Sequence, residues 1–463
     1  MINKVKIEKF RTGLHGQLIQ PGDAGYHDAR RVWNGMINKH PAMIVQCADE
    51  DDVTGSINFA RVEKLVVAVR GGGHNVAGFG TCDDGIVIDL SKMKKIEVDT
   101  AAQTARVQAG LTWGEFDKAT QAHNLATTGG LVSTTGIAGF TLGGGFGWLV
   151  RKYGLTVDNL LSVDMVLANG QRLTASPKEN ADLFWGVCGG GGNFGVVTSF
   201  QFRLHHLGPL IFGGAIFYSA GRSKELMEFY REWTPTLPDE LSTMIAFLSA
   251  PPEPFVPKEL VGTPMIVVAL CYTGSVQEGE RLVSPLRAFA TPAIDLVGPM
   301  PYLALQGMFD ATAPHGIHAY WKTEYLSSLG DDAVDVLVDH ASKMKSLSPF
   351  TGVHLHHWGG AVERADADVT AFAHRNTPYV LNIIGLWTEQ EKADRHLTWA
   401  KDFGRAMKPV STGQVYLNFL GDESEARIKA AYGPDRYKRL VELKNKYDPS
   451  NLFRLNQNIK PSH

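Results

Sequence analysis

Short runs of aliphatic and β-branched residues, each bounded by turn residues, recur through the first 205 positions of the chain. The runs are LVVAV (65–69), GIVIDL (85–90), ARVQAG (105–110) and VVTSFQFRL (196–204). This pattern predicts strands. Residues 163–175 predict a hairpin, because the Asn169-Gly170 pair suits the left-handed dihedral angles of a tight turn. Helices are predicted over 52–61 and 112–123, the second starting on a capping-box pattern.

The pattern changes at about residue 206, where longer apolar runs replace the glycine-rich loops. Strands are predicted over 210–218, 265–273, 319–326, 352–358 and 379–387. Amphipathic helices are predicted over 223–233, 275–290, 331–345 and 388–407, and a later helix over 434–447. Because helices that follow strands cover one face of a sheet, the pattern after residue 206 predicts a single antiparallel sheet with one face covered by helices.

Length and composition indicate a globular protein with an α+β fold. A chain of 463 residues is too long for one ordinary core, so two large domains with room for a cofactor between them are expected. Hydrophobic residues make up 44% and charged residues 20% of the chain, and its net charge of -3 offers no basic field for a nucleic-acid backbone.

The chain shows no uninterrupted apolar run of membrane-spanning length, and MINKVKIEKFRTG alternates in charge where a secretory signal needs an apolar core. We therefore expect a cytoplasmic protein without a membrane partner. The cysteines Cys47, Cys82, Cys188 and Cys271 lie singly, without CxxC or metal-ligand spacing. This spacing argues against a disulfide framework and against a bound metal, and predicts buried, inert thiols.

Glycines cluster in the first half, at 71–80, 129–147 and 189–195. RGGGHNVAG (70–78) follows a predicted strand, so its N–H groups fit a phosphate-binding nest, and they fit a tight turn between two strands equally well. The second cluster adds hydroxyls and free N–H groups, and two clusters suit a dinucleotide. A nicotinamide cofactor is disfavoured, because GGGFG follows a loop where GxGxxG needs a strand before it and a helix after it.

In order along the chain, RGGGHNVAG, GGLVSTTGIAGFTLGGGFG, RKYGLTVDNLLSVD and LFWGVCGGGGNFGVVTSFQFRL resemble the FAD-linked oxidases of the berberine-bridge-enzyme type. These belong to the vanillyl-alcohol oxidase superfamily. YLNF (416–419) and the stretch 432–459 are similar to the closing segment of that family. The resemblance implies a two-part FAD-binding domain of the PCMH type, over 1–205 and 416–463, and a substrate domain over 206–415.

The resemblance also implies that FAD is attached covalently. The histidine that ends the GGGH motif of the family bonds to the 8α-methyl carbon of the flavin, and that histidine is His74 here. A neutral imidazole is nucleophilic, and the preceding glycines let the backbone approach the ring. Bicovalent relatives add a cysteine where this chain has Val132, which has no thiol, while Cys82 and Cys188 lie outside that motif. A single histidyl linkage of the bacterial and archaeal type is expected.

Further residues match positions around the cofactor of the family. They are Arg70, Gly71, Gly72, Gly73, Asn75, Gly78, Thr134, Thr135, Gly136, Gly139, Gly143, Gly144, Tyr153, Gly154, Asp158, Asn159, Gly195, Val197, Tyr416, Asn456 and Asn458. For any single glycine or asparagine among them, a purely structural turn remains an alternative to ligand contact.

The superfamily reaction moves a hydride from a C–H beside an alcohol or amine to the flavin, while a base removes the heteroatom proton. Tyr416 matches a tyrosine that the family often places near the reacting carbon, and it is the expected base. Asn382 stands roughly where some relatives have a carboxylate, and an amide cannot act as a base. Lys322 is a candidate for orienting the substrate or lowering the pKa of a phenol, with a snorkelling edge lysine as the alternative.

His354 and His356 are expected in the substrate pocket. They lie two apart on a predicted strand and so share a face, and no third ligand with suitable spacing supports a zinc site. The pocket residues leave sugars, amines, alkaloid-like heterocycles and polyketide intermediates open as substrates.

Oxygen access in the family depends on the residue three places after the cysteinyl position, which is Thr135 here. A compact threonine leaves room above the ring, and Gly130 nearby adds no side chain. We therefore expect an oxidase that uses dioxygen. A dehydrogenase with another acceptor is the alternative, and a flavin-storage protein without activity comes last.

Overall fold

The computed structural model describes residues 3–388, 391–421 and 423–462. Its first ten strands are β1 Gln17–Ile19, β2 Met43–Gln46, β3 Val67–Arg70, β4 Ile86–Asp89, β5 Ile96–Asp99, β6 Thr104–Gln108, β7 Leu125–Ala126, β8 Leu160–Leu167, β9 Arg172–Ala175 and β10 Gly195–Arg203. The helices of this part are α1 Lys4–Thr12, α2 Tyr26–Ala29, α3 Glu50–Glu63, α4 Trp113–Gln121, α5 Ile137–Leu142, α6 Val150–Tyr153 and α7 Ala181–Val187.

Two sheets organise this first part. One has the order β1-β2-β4-β3, in which β4 runs parallel to both β2 and β3, and the other has the antiparallel order β5-β6-β10-β8-β9. The predicted hairpin is confirmed as β8 and β9, although of its Asn169-Gly170 pair only Gly170 takes a positive φ, of 85°. The capping box of α4 is also confirmed, since Thr112 and Glu115 each bond the other's backbone.

The later strands are β11 His205–His206, β12 Leu210–Ser219, β13 Leu241–Ser249, β14 Pro264–Tyr272, β15 Ile294–Asp295, β16 Gly298–Pro301, β17 His318–Leu326, β18 Gly352–His357 and β19 Tyr379–Trp387. The later helices are α8 Ser223–Trp233, α9 Val276–Phe289, α10 Tyr302–Gln306, α11 Asp331–Ser342, α12 Ala361–Arg364, α13 Ala393–Met407, α14 Glu425–Tyr432 and α15 Pro434–Tyr447. The predicted start of α13 at 388 adjoins residues 389 and 390, which lie outside the described residues.

A large antiparallel sheet forms the second part, in the order β15-β12-β14-β13-β18-β19-β17 with β16 on β12. Helices α8, α9, α11 and α13 cover one of its faces with a separate apolar core. The predicted α+β fold and its helix-covered antiparallel sheet are confirmed. Strand β13, which lies between β14 and β18 near the centre of the sheet, was not predicted from the sequence.

The segment after α14 returns to the first part of the structure. Leu440, Leu443 and Ile459 belong to the same apolar core as the two early sheets. The fully buried Lys444 pairs with Asp448 and donates hydrogen bonds to the carbonyl oxygens of Asn193 and Phe453, at 2.8 and 2.9 Å. A buried ammonium needs such partners, so Lys444 fixes α15 against the glycine-rich loop at 189–193.

Each described helix is too short or too polar to cross a membrane. The predicted cytoplasmic location and the predicted domain boundaries stay predictions. All four cysteines are buried and free, and burial raises the pKa of Cys82 to about 11 and that of Cys47 well above its usual value.

Candidate functional site

A cavity of about 580 Å³ lies between the glycine-rich loops and the face of the large sheet opposite α8, α9, α11 and α13. Its walls come from the loop after β3, from residues 130–143, from the start of β10, from β17 to β19 and from the segments 416–419 and 453–457. This size falls within the range of about 300–1,000 Å³ that is usual for ligand and cofactor sites.

Many of the predicted cofactor residues meet in the wall of this cavity. They are Arg70, Gly71, Gly72, Gly73, His74, Asn75, Thr135, Gly136, Gly139, Gly143, Gly195, Val197, Tyr416 and Asn456. Five segments that are far apart in the sequence therefore converge on one space.

The remaining predicted cofactor residues do not line the cavity. They are Gly78, Thr134, Gly144, Tyr153, Gly154, Asp158, Asn159 and Asn458. Both oxygens of Asp158 accept hydrogen bonds from the buried guanidinium of Arg375, at 2.7 and 2.9 Å, and the Asn159 amide donates to two backbone carbonyls. These contacts hold the turn that carries residues 153–159, so Asp158 and Asn159 act on the cavity through the backbone.

The glycines after β3 bring two backbones into close contact. A Cβ atom on Gly72 would lie 2.3 Å from the nitrogen of Gly136, and one on Gly136 would lie 2.3 Å from the nitrogen of Gly72. Within the described part of the chain, the N–H groups of Gly71, Gly72 and Gly73 donate no hydrogen bond. Free N–H groups that converge on a cavity fit the phosphates of a dinucleotide.

The C-terminal segment of the cavity wall offers acceptors. Asn456 and Gln457 line the wall, and a side-chain oxygen of each is buried without a donor among the described residues, as is Oδ1 of the adjacent Asn458. Buried oxygens of this kind are costly unless a ligand satisfies them. Donors on one segment of the wall and acceptors on another fit FAD, which carries phosphates and a ring system with an N–H group.

His74 follows the glycines and is held on two sides. Its ring is stacked on the indole of Trp33, with centroids 5.3 Å apart, and its Nε2 lies 3.0 Å from Oγ1 of Thr134. Burial, with a smaller contribution from His315, lowers the pKa of His74 to about 4. The imidazole is therefore neutral at physiological pH and keeps a nitrogen lone pair.

Tyr416 is fully buried, and its oxygen is held by two donors. It accepts hydrogen bonds from the N–H of Gly145 at 3.0 Å and from the amide of Asn418 at 2.9 Å. Burial raises the pKa of the Tyr416 phenol, and the two hydrogen bonds oppose that rise. The Asn418 amide also donates to the carbonyl of Phe140, which fixes the phenol relative to the loop at 130–143.

His354, His356 and Asn382 face the cavity from the large sheet. His354 and Asn382 are direct partners across β18 and β19, and His356 follows on the same face. The side chains of all three make no hydrogen bond to another described residue. Burial lowers the pKa of His354 to about 4 and that of His356 well below its usual value, so both imidazoles are neutral.

Lys322 does not reach the cavity, which removes it from the predicted catalytic group. Successive side chains of a strand point to opposite faces, and Lys322 pairs with Ile383 while Trp321 and Asn382 face the cavity. Its ammonium forms an ion pair with Glu423, and its methylene groups lie against Gly404 of α13.

The two residues predicted to govern oxygen access, Gly130 and Thr135, both line the cavity. A Cβ atom on Gly130 would lie 3.1 Å from the rings of Phe140 and Trp113, so this position has no room for a side chain without displacement. The loop that carries Thr135 is fixed to the second part of the structure, because the N–H and hydroxyl of Ser133 both donate to Asp310, at 2.7 and 2.6 Å.

Several residues of the site were missed by the sequence analysis. Trp33, Asn418 and Gln457 touch the cavity, and Lys444 supports it from behind. The spacing of Lys444 and Asp448, one helical turn apart, was visible in the sequence, but their burial was not. The position of Trp33 depends on long-range packing, so no local pattern identifies it, whereas Asn418 lies in the YLNF stretch that carried the resemblance but was not singled out.

Two family descriptions match the chain. The family described as "FAD binding domain" matches residues 41–176, and the family described as "Berberine and berberine like" matches residues 415–460. Each matched range contains part of the cavity wall, including His74 in the first and Tyr416 in the second.

Whole-chain relatives agree with these matches. An FAD-linked oxidoreductase of Dictyostelium discoideum is 32% identical over 461 residues, which cover 98% of this chain and 97% of that protein. The structure of 6-hydroxy-D-nicotine oxidase from Arthrobacter nicotinovorans is similar with a TM-score of 0.86 at 27% identity, over 97% of this chain and 98% of that one. Xylooligosaccharide oxidase from Myceliophthora thermophila C1 is similar in fold, with a TM-score of 0.86 at 21% identity over 99% of both chains.

Proposed function

The chain belongs to the berberine-like FAD-linked oxidoreductases, and on that premise we propose that it holds FAD covalently through His74 and oxidises a small organic substrate with dioxygen as the final acceptor. When bound, the flavin accepts a hydride from a C–H group beside a hydroxyl or an amine. The observation that carries the proposal is the neutral imidazole of His74 at the junction of the glycine-rich loops.

His74 is prepared for attachment by its neighbours. Trp33 packs on one face of the imidazole, and Thr134 holds Nε2, which leaves Nδ1 without a partner among the described residues. With FAD bound, His74 would hold the flavin through a C–N bond that replaces one methyl C–H bond and the imidazole N–H, and dioxygen would take up the two electrons and two protons released.

The rest of the wall supplies binding and orientation. The free N–H groups of Gly71, Gly72 and Gly73 suit the pyrophosphate, and the orphaned oxygens of Asn456 and Gln457 suit donors on the ring system.

Tyr416 is the proposed group for moving the substrate's heteroatom proton. Two N–H donors on its oxygen stabilise the charge of a phenolate, which offsets part of the cost of burial. Asn382 and the two neutral histidines orient the substrate from the facing sheet. An amide cannot take the proton, so Asn382 has a binding role.

The attachment is tested by acid precipitation of the purified holoenzyme. The precipitate is expected to stay yellow, and one proteolytic peptide containing His74 is expected to carry the mass of FAD. The His74→Ala variant releases its FAD into the supernatant, whereas His315→Ala, a change in the neighbouring histidine, keeps it attached. Free FAD from the unmodified enzyme contradicts the proposal.

A further inference from the structure

The part of the cavity beneath the large sheet is lined with aromatic rings. Trp321 meets Phe419 edge to face with centroids 5.6 Å apart, and Phe146 meets Tyr416 at 5.1 Å and His356 at 4.8 Å. All five residues line the cavity. Rings in these arrangements offer flat apolar surfaces, against which a planar aromatic molecule buries most of its area.

Charged groups are scarce in the same wall. Apart from its histidines, the charged side chains lining the cavity are Arg70 and Glu253. Arg70 is neutralised by the buried Asp89, at 2.7 Å, and begins the glycine-rich loop at 70–78. Glu253 lies in the loop that follows β13, four residues beyond the end of the strand, and so at the border of the sheet. The described wall therefore holds no cation available to an anionic substrate.

The polar groups at the centre of this face are neutral and unused. His354 and Asn382 lie directly opposite each other on neighbouring strands, and Asn382 is only 2% exposed with its Oδ1 lacking a donor. Each neutral imidazole offers one donor and one acceptor, and the amide offers both. Buried groups of this kind gain a partner when a ligand presents hydroxyl, carbonyl or amide atoms to them.

Resting on the proposed function, we infer that the substrate is an uncharged, planar aromatic compound whose polar edge is bound by His354, His356 and Asn382. An anionic substrate would lose its hydration without gaining a cation in return, and a cationic one would find only Glu253, which lies outside the strands that carry His354 and Asn382. An oligosaccharide carries hydroxyl groups around its whole rim, and the aromatic walls would leave most of them without partners.

The inference is tested with ligands of matched shape and different charge, bound to the holoenzyme and followed through the visible spectrum of the flavin. The probes are benzamide, benzoate, benzamidinium and cellobiose. Benzamide is expected to bind at least about tenfold more tightly than either ion or the sugar. The loss of one hydrogen bond, or the burial of one polar group without a partner, changes the dissociation constant by about tenfold. Because both histidines stay neutral, its affinity is expected to be constant between about pH 5.5 and about pH 8.

Variants identify the groups responsible. Asn382→Leu is expected to weaken benzamide binding by about tenfold, while Lys322→Met, on the opposite face of the neighbouring strand, leaves it unchanged. Retention of the flavin spectrum and of the melting temperature shows that each variant is folded.

Three results would overturn the inference: tighter or equal binding of either ion or of cellobiose, no spectral response to millimolar benzamide, or unchanged benzamide binding in Asn382→Leu. These outcomes are independent of the acid-precipitation result. Flavin that is released by acid still reports ligand binding in the native enzyme, so failure of covalent attachment is distinguishable from failure of the substrate assignment.

Discussion

The indole ring of Trp33 lies nearly parallel to the imidazole of His74, with 17° between the two planes. The indole N–H donates to the carbonyl of Ala313 at 2.9 Å, and the backbone N–H of Trp33 donates to the carbonyl of Gly73 at 3.1 Å. Trp33 thus connects the glycine-rich loop at 70–78 to the segment before β17. The orientation of His74 depends on a residue that is distant in sequence from the GGGH motif.

Replacement of Trp33 is expected to slow the attachment of FAD. Trp33→Ala removes the stacked ring and admits water to His74, so we expect attachment to slow by about tenfold, the cost of about 1.4 kcal/mol of lost positioning. Trp33→Phe retains a flat ring and is expected to restore most of the rate. The measurement is the growth of acid-stable flavin after FAD is added to protein expressed without it.

The pH profile of FAD attachment distinguishes an effect of Trp33 on the position and pKa of His74 from a general loss of folding. His74 has a pKa of about 4 in the intact site, so its attachment rate is expected to be flat between about pH 6 and about pH 8. In Trp33→Ala the pKa returns toward its usual value near 6.5, and the rate falls as the pH drops through that value. Equal rates and equal profiles in the variant and the parent would contradict the role of Trp33.

Tyr416→Phe is expected to slow flavin reduction by substrate by about 10²–10⁴-fold, the usual cost of a lost acid–base group. The bound flavin and its spectrum are expected to remain, because Tyr416 makes no contact with His74. Anaerobic stopped-flow bleaching of the flavin measures the effect. Reduction at the parental rate would transfer the proton-accepting role to another group in the wall.

Thr135→Leu is expected to slow the reaction of the reduced enzyme with dioxygen and to leave reduction by substrate unchanged. The larger side chain fills space in the cavity wall that threonine leaves open. The measurement mixes anaerobically reduced enzyme with air-saturated buffer and follows flavin reoxidation and hydrogen peroxide. Slow reoxidation of the parent enzyme would instead support a dehydrogenase.

Asp117 predicts a pH dependence of stability. Its fully buried carboxyl accepts a hydrogen bond from Gln306 at 2.7 Å, and burial raises its pKa to about 7. The folded-state pKa of Asp117 exceeds the unfolded value near 4. The contribution of the protonated carboxyl to the free energy of unfolding is therefore fully present below about pH 4 and is lost as the pH rises through about 7. Each unit of difference between the two pKa values corresponds to about 1.4 kcal/mol.

Asp117→Asn keeps the shape and removes the charge. Its amide also offers donors to a site where the oxygens of Gln306 and Tyr302 are buried without partners among the described residues. The variant is therefore expected to unfold at a higher denaturant concentration than the parent at about pH 8, and at a similar one at about pH 5. A difference of the same size at both pH values would argue against titration of Asp117.

Regular patterns in the sequence predicted most of the fold, and long-range pairing decided the rest. Helix α8 has its predicted bounds, because its apolar residues repeat with the helical period. Strand β13 was missed, although seven of its residues are buried. Successive side chains of β17 point to opposite faces of the sheet, and the sequence does not show which face meets the cavity. Lys322 was therefore predicted in the site, and its neighbour Trp321 was not.

The cofactor residues show the same division. The glycines beside His74 were identifiable because only glycine allows two backbones to approach so closely. Asp158 matched the family pattern equally well, yet it supports a turn through Arg375, which is 217 residues away in the sequence. A sequence motif records which residues a site needs, and it does not separate contact with the ligand from support of the backbone.

The buried ammonium of Lys444 sets an order on the biogenesis of the enzyme. It joins α15 to the carbonyl of Asn193 in the loop beside the cavity, and residues 453–457 complete the wall. During translation, the loops at 70–75 and 130–143 leave the ribosome long before these partners are synthesised. We therefore expect cofactor capture to follow the synthesis of α15 and of residues 453–457, because the cavity wall is incomplete without them.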